Sequence, residues 1–368
     1  MYFPENRGWS HQLLRIIGEA QNGGGDFGEI NRAASRMRPN DAESWYSEWK
    51  AMAEHVEKLG ASAEAEGHGV SARQAYFRAS NYYRMADFYL DRKDPREAET
   101  YQKHVSLFKK AADLSSPRIE SVSIPFEDRS LHAYFATPTV RTTEIERSPT
   151  LIIFGGADAT CEEAYFSTAV DARSRGFNVL LIDGPGQGYT LRFEKLYARP
   201  DYEKAVGAAI DFLLREKSSA VDGNKIGLIG RSMGGYYASR SAAMEKSIRA
   251  AAIFDAIFDV TEDVYDFFPP VRRAINWDVG AVSAEDARAK LAPFNLSGVA
   301  EKIRCPILIV HGSEDYVSSP KAAEKLISAI SSRDKLLKWY QAGHGVAAYR
   351  AEATAFVLDW LMDRISRA

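Results

Sequence analysis

The spacing of apolar and polar positions changes once along the chain, near residue 116. In Trp45–Leu59, apolar side chains recur every three or four residues, which is the spacing of one buried helix face. The same spacing returns in Ser71–Leu90 and in Asp94–Ala112. The pattern therefore predicts an N-terminal helical domain over residues 1–115.

Capping signals support two of these helices. Asp41 precedes the first stripe and is a good N-cap residue. The run Asp94-Pro95-Arg96-Glu97 places a capping aspartate, a first-turn proline and a glutamate that completes a capping box. We expect helices to begin at both points.

After Ser116-Pro117 the apolar period becomes two, and a hairpin is predicted around Glu127-Asp128-Arg129. Short apolar runs then alternate with helical stretches, at Thr150–Phe154, Val179–Ile182, Lys225–Ile229, Ala250–Phe254, Ile307–Val310 and Leu336–Tyr340. This alternation predicts an α/β domain over residues 116–368, with a mostly parallel sheet and helices on both faces. The long interval between Phe254 and Ile307 predicts a helical cap insertion at about 259–300.

The strongest chemical signal is the G-x-S-x-G sequence centred on Ser232, which lies between a predicted strand and a predicted helix. A nucleophile on such a sharp turn needs minimal side chains two residues to either side, and Gly230 and Gly234 supply them. The N–H of Met233 would then face the attacked carbonyl at a helix N-terminus. We predict that Ser232 is a catalytic nucleophile.

A serine hydroxyl needs a base, and in this fold the acid and then the histidine follow the serine in the chain. Asp315 follows the strand at Ile307–Val310, and His344 follows the last strand. We predict that both complete a catalytic triad with Ser232. Three other carboxylates stay open as alternative acids: Glu314, Asp255 and Asp259. The remaining histidines considered are expected to be structural or exposed: His311, His11, His55, His68 and His104.

Glycines follow two other predicted strands. Gly155-Gly156-Ala157 follows the first core strand, where the second oxyanion donor is expected, so the N–H of Gly156 or Ala157 is the candidate. Asp183-Gly184-Pro185-Gly186-Gln187-Gly188 lacks the Lys-Ser/Thr of a phosphate-binding loop. We interpret it as a shaped turn after a strand.

Composition narrows the class of protein. The net charge of -3 includes no block of like charges, which argues against nucleic acid as a partner. The two cysteines, Cys161 and Cys305, cannot build a disulfide framework, and no ligand-spaced cluster predicts a metal. We find no signal peptide or membrane-spanning run and expect a cytoplasmic protein without a cofactor that acts on a small molecule. A homodimer stays open as an alternative to a monomer.

Four sequence features together resemble one branch of the α/β-hydrolases: Arg78-Ala79-Ser80-Asn81-Tyr82-Tyr83-Arg84, FGGADAT, IDGPGQG and GRSMGG. This branch includes 2,6-dihydroxypseudooxynicotine hydrolase and fungal pigment enzymes that shorten polyketide chains. The resemblance implies a Ser-His-Asp enzyme, with Ser232, Asp315 and His344 on the family's motifs, and a substrate held between the core and the helical segments. It also implies an extra acidic residue in the site, for which the cap offers Glu262, Asp263, Asp266 and Glu285.

Substrate contacts are the least determined part of the site. Tyr82, Asp263, Phe267 and Trp277 are candidates, although the aromatic residues could equally be core of the cap. The leading hypothesis is hydrolysis of a carbon–carbon or ester-type bond in an aromatic or polyketide-like metabolite. The alternatives are a general carboxylesterase or thioesterase, acyl transfer or cyclisation, and a non-catalytic binding protein, against which the triad argues.

Overall fold

The computed structural model describes residues 2–140 and 147–366 and divides into two compact units. The first unit comprises the described residues of Met1–Ser121 together with Tyr165–Val170. The second comprises Val122–Ala164 and the described residues from Asp171 onward. The domain boundary at residue 115 and the cap at 259–300 stay predictions. No helix among the described residues is long and apolar enough to cross a membrane.

The first unit is built from α-helices whose bounds are α1 Arg7–Ala20, α2 Phe27–Ala34, α3 Ala42–Ala65, α4 Gly69–Asp87 and α5 Pro95–Asp113. The predicted caps are present, because Asp41 accepts the N–H groups of Glu43 and Ser44 and Asp94 accepts that of Arg96. At the predicted capping box, the N–H of Asp94 donates to the carbonyl oxygen of Asp91, and Glu97 accepts a hydrogen bond from Arg92. Buried Trp45 and Trp49 of α3 lie in the core of this unit, whereas Leu59 is exposed.

The second unit contains a sheet of eight strands in the order β1-β2-β4-β3-β5-β6-β7-β8, except that the start of β1, up to Ser121, belongs to the first unit. The bounds are β1 Ile119–Phe126, β2 Arg129–Ala136, β3 Ser148–Phe154, β4 Asn178–Asp183, β5 Val221–Arg231, β6 Ile248–Phe254, β7 Ile307–Gly312 and β8 Lys335–Tyr340. Strand β2 pairs antiparallel with β4, and the pairs from β4 through β3, β5, β6 and β7 to β8 are parallel. The predicted α/β fold is confirmed, including the hairpin.

Helices lie between the strands of this sheet, as parallel pairing requires, and one further helix, α14, follows the last strand. They are α6 Cys161–Ala164, α7 Val170–Ser174, α8 Gly188–Glu194, α9 Glu203–Glu216, α10 Met233–Met244, α11 Arg272–Asp278, α12 Ala284–Leu291, α13 Pro320–Ala329 and α14 Arg350–Ser366. The short helices α11 and α12 lie in the long interval between β6 and β7. Because the sheet is parallel there, the loops that follow β5, β6, β7 and β8 lie at one edge of the sheet.

Candidate active site

Ser232 lies between the end of β5 and the start of α10 in a strained backbone conformation, with φ 56° and ψ -121°. This turn is tight enough to require the glycines on either side. A Cβ on Gly230 would lie 2.0 Å from the carbonyl oxygen of Gly234, and a Cβ on Gly234 would lie 2.5 Å from that of Gly155. The turn holds the serine side chain at the carboxyl edge of the sheet.

The hydroxyl of Ser232 lies next to the imidazole of His344, with 3.0 Å between Oγ and Nε2. On the other side of the ring, Nδ1 lies 2.8 Å from Oδ2 of Asp315. A carboxylate can only accept at this position, so Nδ1 carries the proton and the lone pair of Nε2 faces the hydroxyl. In this tautomer the ring can take a proton from Ser232.

Four hydrogen bonds fix the carboxylate of Asp315. Oδ1 accepts the N–H groups of Val317 and Ser318 at 2.8 and 3.1 Å, and Oδ2 accepts the Ser318 hydroxyl at 2.8 Å in addition to His344. Burial raises the pKa of Asp315, but His344, His311 and the N–H of Val317 together outweigh burial and lower this pKa to about 2. Asp315 therefore stays ionised beside the ring at neutral pH.

His311, interpreted from the sequence as structural, lies behind this carboxylate. Its Nδ1 accepts the N–H of Ala256 at 3.0 Å, so Nε2 carries the proton. Nε2 lies 3.5 Å from Oδ2 of Asp315, which is beyond a normal hydrogen bond but places a positive dipole toward the carboxylate. His311 thus contributes to the environment of Asp315.

The structure separates the alternative acids. Glu314 is exposed, whereas Asp315 is buried. Asp259 accepts the side-chain amide of Asn295 and two backbone N–H groups within its own turn. Asp255 is buried, and its Oδ2 lies 3.9 Å from Nδ1 of His344. Asp315 is the carboxylate that hydrogen-bonds the imidazole.

The loop after β3 runs directly beside Ser232. A Cβ on Gly156 would lie 3.0 Å from Cβ and 3.3 Å from Oγ of Ser232, so only glycine permits this approach without displacement. The N-terminus of α10, with Met233 as its first residue, adjoins the same hydroxyl. Gly156 and Met233 therefore both border the serine, and the oxyanion roles of Gly156, Ala157 and Met233 stay predictions.

Gln187, within the turn interpreted only as a shaped connection, is a residue that sequence reasoning missed. Its side-chain N–H group donates to the carbonyl oxygen of Gly155 at 2.6 Å. Its Oε1 accepts the N–H of Gly184 at 3.1 Å and the hydroxyl of Tyr202 at 2.6 Å. Gln187 thus connects the turn after β4 to the loop that borders Ser232. The available signal was a polar, hydrogen-bonding side chain inside a glycine-rich turn.

Tyr82 was a candidate substrate contact, which stays a prediction, and its hydroxyl forms two hydrogen bonds inside the helical unit. The hydroxyl donates to Oε2 of Glu29 at 2.6 Å and accepts the N–H of Asp26 at 2.8 Å. The ring is fully buried and packs against Trp49 at 5.5 Å between centroids. Both hydrogen-bonding capacities of the hydroxyl are used inside the helical unit.

The other three candidate contacts lie between β6 and β7. One carboxylate oxygen of Asp263 accepts the N–H groups of Phe258 and Asp259 at 2.9 and 2.8 Å, and burial raises the pKa of this residue. The ring of Phe267 is 43% exposed, so it is not part of the core. Trp277 lies under the guanidinium of Arg192 at 4.7 Å. Their contact with a substrate stays a prediction.

Two groups of described residues bring three possible metal ligands within 4.8 Å of one another. The first is Asp255, Asp315 and His344, where a cation on Asp315 would replace the hydrogen bond that sets the imidazole tautomer. The second is His132, Cys161 and Glu162. There, burial and the carboxylates of Asp183 and Glu162 raise the pKa of the Cys161 thiol, which opposes the thiolate that a metal requires.

The chain is similar in sequence to known hydrolases. Residues 163–367 match the prolyl oligopeptidase family. The α/β-hydrolase xenA of Xenoacremonium sinensis is 36% identical over 68% of this chain, and the match spans 60% of the length of xenA. The hydrolyase poxO of Penicillium oxalicum is 35% identical over 76% of this chain and 68% of its own length.

Among solved structures, 2,6-dihydroxy-pseudo-oxynicotine hydrolase superposes with a TM-score of 0.83. It is 26% identical in sequence, and the match covers 95% of each chain. The resemblance inferred from the sequence motifs is therefore confirmed, and it extends through the helical unit.

Proposed function

The chain belongs to the prolyl oligopeptidase family of α/β-hydrolases, and on this premise we propose that it is a serine hydrolase that works through an acyl-enzyme. The observation that carries the proposal is the continuous hydrogen-bonded row from Ser232 Oγ to His344 Nε2 and from His344 Nδ1 to Asp315. In this row Ser232 is the nucleophile, His344 the base and Asp315 the residue that orients the ring.

The first half of the reaction acylates the serine. Ser232 Oγ attacks the substrate carbonyl carbon while its proton moves to Nε2 of His344. The oxyanion that forms is stabilised by the N–H of Met233 and by an N–H of Gly156 or Ala157. The bond to the leaving group then breaks, and the leaving group departs with the electron pair and takes the proton from Nε2.

The second half releases the acyl group. Water gives a proton to Nε2 and attacks the acyl carbon, and Ser232 recovers that proton as the carboxylic acid leaves. Both halves need His344 neutral on Nε2, because only the neutral ring can accept a proton. The same residues serve an ester and a ketone, since the two substrates differ only in the leaving group.

We propose that the substrate is an aromatic or polyketide-like metabolite and that the bond is a carbon–carbon bond beside a ketone or a related ester-type bond. A carbanion can leave only when the substrate delocalises its charge, as a β-diketone or a hydroxylated aryl ketone does. The proposal is supported by the similarity over 95% of the chain to a hydrolase of 2,6-dihydroxy-pseudo-oxynicotine. A general carboxylesterase or thioesterase is the second candidate, because the same row of side chains would serve it.

A substrate panel tests this proposal. The protein is incubated separately with β-diketones, hydroxylated aryl ketones, p-nitrophenyl esters, acyl thioesters and aminoacyl anilides, and the products are identified by mass spectrometry. We expect cleavage of a ketone substrate into a carboxylic acid and a shorter ketone or arene, with loss of turnover in Ser232→Ala. Cleavage of esters or thioesters alone would favour the second candidate, and ketone cleavage that persists in Ser232→Ala would contradict the proposed mechanism.

A further inference from the structure

A second buried carboxylate faces the imidazole of His344. Asp255 is 1% exposed, and its Oδ2 lies 3.9 Å from Nδ1, the ring nitrogen that binds Asp315 at 2.8 Å. Two carboxylates thus approach one proton. One is hydrogen-bonded to it, and the other is too far away to be.

Asp255 is held in this position by an unusual backbone. It follows the last residue of β6 with φ 58°, a left-handed conformation that L-residues other than glycine and, to a lesser degree, asparagine and aspartate rarely adopt. Its N–H donates to the carbonyl oxygen of Val310 in β7 at 2.9 Å. The left-handed turn directs the side chain at the end of β6 toward the loop of His344.

The carboxylate of Asp255 also fixes the backbone that carries the imidazole. Oδ2 accepts the N–H of Gly345 at 2.9 Å. Gly345 and Val346 both have positive φ, at 71° and 48°, so the chain makes a left-handed turn directly after His344. Oδ1 of Asp255 is buried and has no hydrogen-bond partner among the described residues. One oxygen is therefore committed to the loop, and the other keeps an unused acceptor.

We propose that Asp255 is a second positioning carboxylate for His344, which orients the imidazole together with Asp315 and retains a minor fraction of the productive tautomer when Asp315 is removed. The effect of Asp255 on turnover rests on the proposed function. Its effect on the tautomer of the His344 ring is independent of that function. The identity of the first carboxylate is decided by hydrogen bonds, because Asp315 is fixed by Val317 and Ser318 within bonding distance of Nδ1.

The charges around the site give the direction of the electrostatic effect. Burial lowers the pKa of His344, and the carboxylates of Asp315 and Asp255, in that order, outweigh burial and raise it. The groups that act on the ring or on Asp255 are Asp315, Asp158, His311 and Arg231. Burial raises the pKa of Asp255, and the charge of His344 opposes this rise. Where Asp255 is ionised, removing its charge lowers the pKa of His344. The acidic limb of the pH–rate profile then shifts to lower pH, because the active ring is the neutral one.

The first experiment reads the ring itself. Protein labelled with ¹⁵N-histidine is studied by NMR as wild type, Asp315→Asn, Asp255→Asn and the double variant. Asp315→Ala is included as a second substitution that removes the Asp315 carboxylate. We expect His344 to keep a detectable Nδ1–H population in the Asp315 variants and to lose it in the double variant. An identical tautomer in single and double variants would overturn the proposal, whatever Ser232 does.

The second experiment measures turnover of the substrate identified by the panel. We expect Asp255→Asn on the intact triad to move the acidic limb to lower pH, whereas Asp259→Asn, the same charge change four residues along the chain, leaves it in place. In the double variant, kcat falls about tenfold below that of Asp315→Asn, because no carboxylate then orients the ring. An unmoved limb in Asp255→Asn, or equal kcat in the single and double variants, would overturn the role of Asp255. Full turnover in Ser232→Ala would instead contradict the proposed function.

Discussion

The sheet unit and the helical unit each contain a row of hydrogen bonds built around a carboxylate. In the sheet unit, Asp315 binds His344, which in turn binds Ser232. In the helical unit, Glu29 accepts the hydroxyl of Tyr82 at 2.6 Å and the guanidinium of Arg78 at 2.9 Å. The hydrogen bonds of the two rows have similar lengths, but their burial differs, because the side chain of Glu29 is 21% exposed and that of Asp315 is fully buried.

The rows differ in what lies at their ends. The row of Glu29 ends on a permanently charged guanidinium and, through Tyr82, on the backbone N–H of Asp26. Every proton there has a fixed place. The row of Asp315 ends on a serine hydroxyl in a strained turn beside a helix N-terminus, and its imidazole can change its protonation state. A polar row can therefore support catalysis when it ends on a nucleophile and contains a group that can titrate, which is what we propose for the row of Asp315.

The largest expected effect is on the activity of a variant in the row of Asp315. In Asp315→Asn the imidazole loses the acceptor that sets its tautomer, so we expect kcat to fall by about 10³–10⁴-fold. The free energy of unfolding is measured in parallel by urea denaturation, to show that the variant is folded. A fall of less than tenfold in a folded variant would show that Asp315 does not orient His344.

The next effect tests the approach of the β3 loop to Ser232. A methyl group at Gly156 would lie 3.0 Å from Cβ of Ser232, so the loop or the serine must move by a few tenths of an ångström. We expect kcat of Gly156→Ala to fall by about 10–100-fold, as small misplacements of reacting groups do. Gly69→Ala is the matched control, because a Cβ there meets nothing within 4 Å. Unchanged kcat in Gly156→Ala would remove this loop from the reaction.

A smaller effect is expected at Gln187. In Gln187→Leu the carbonyl of Gly155 loses its 2.6 Å hydrogen bond, which we expect to cost about 1–3 kcal/mol of unfolding free energy and about tenfold in kcat. Tyr202→Phe is the comparison, since it removes a bond to Gln187 and leaves the bond to Gly155. If both variants lose the same free energy of unfolding and neither loses activity, the hydrogen bonds of Gln187 are structural, like those of Glu29.

The smallest effect on activity is expected in the helical unit. Tyr82→Phe removes a hydroxyl that serves Glu29 and Asp26, so we expect a loss of about 1–2 kcal/mol of unfolding free energy. We expect kcat and KM to stay unchanged, because both hydrogen bonds of the hydroxyl are internal. A large rise in KM without loss of stability would instead show that Tyr82 contacts the substrate and would contradict the distinction between the two rows.

The sequence predicted the sheet and the places of Ser232, Asp315 and His344, because each depends on short-range patterns that end at a strand. Apolar runs set the strands, and a chain order of serine, acid and histidine set the loops. The role of Gln187 was not predictable in this way, since its partner Gly155 lies 32 positions away along the chain. The same holds for Asp255, whose proximity to His344 depends on a left-handed residue after β6.

The substrate contacts were the other part that sequence could not supply. Tyr82 lies in a motif of the family resemblance, but a motif does not show whether a hydroxyl is already used. Asp263 was selected as an acidic residue in the predicted cap, and its hydrogen bonds to two backbone N–H groups follow from a turn that no periodicity reveals. Such roles depend on three-dimensional partners.

The central claim is that Ser232 is a nucleophile activated by His344, and covalent labelling tests it most directly. Wild-type protein is treated with a fluorophosphonate, and the adduct is located by peptide mass mapping, with Ser232→Ala and His344→Ala in parallel. We predict one adduct, on Ser232, which is absent from Ser232→Ala. In His344→Ala the adduct forms about a hundredfold more slowly or slower still. No adduct on wild-type protein, or an adduct on a residue other than Ser232, would contradict the account.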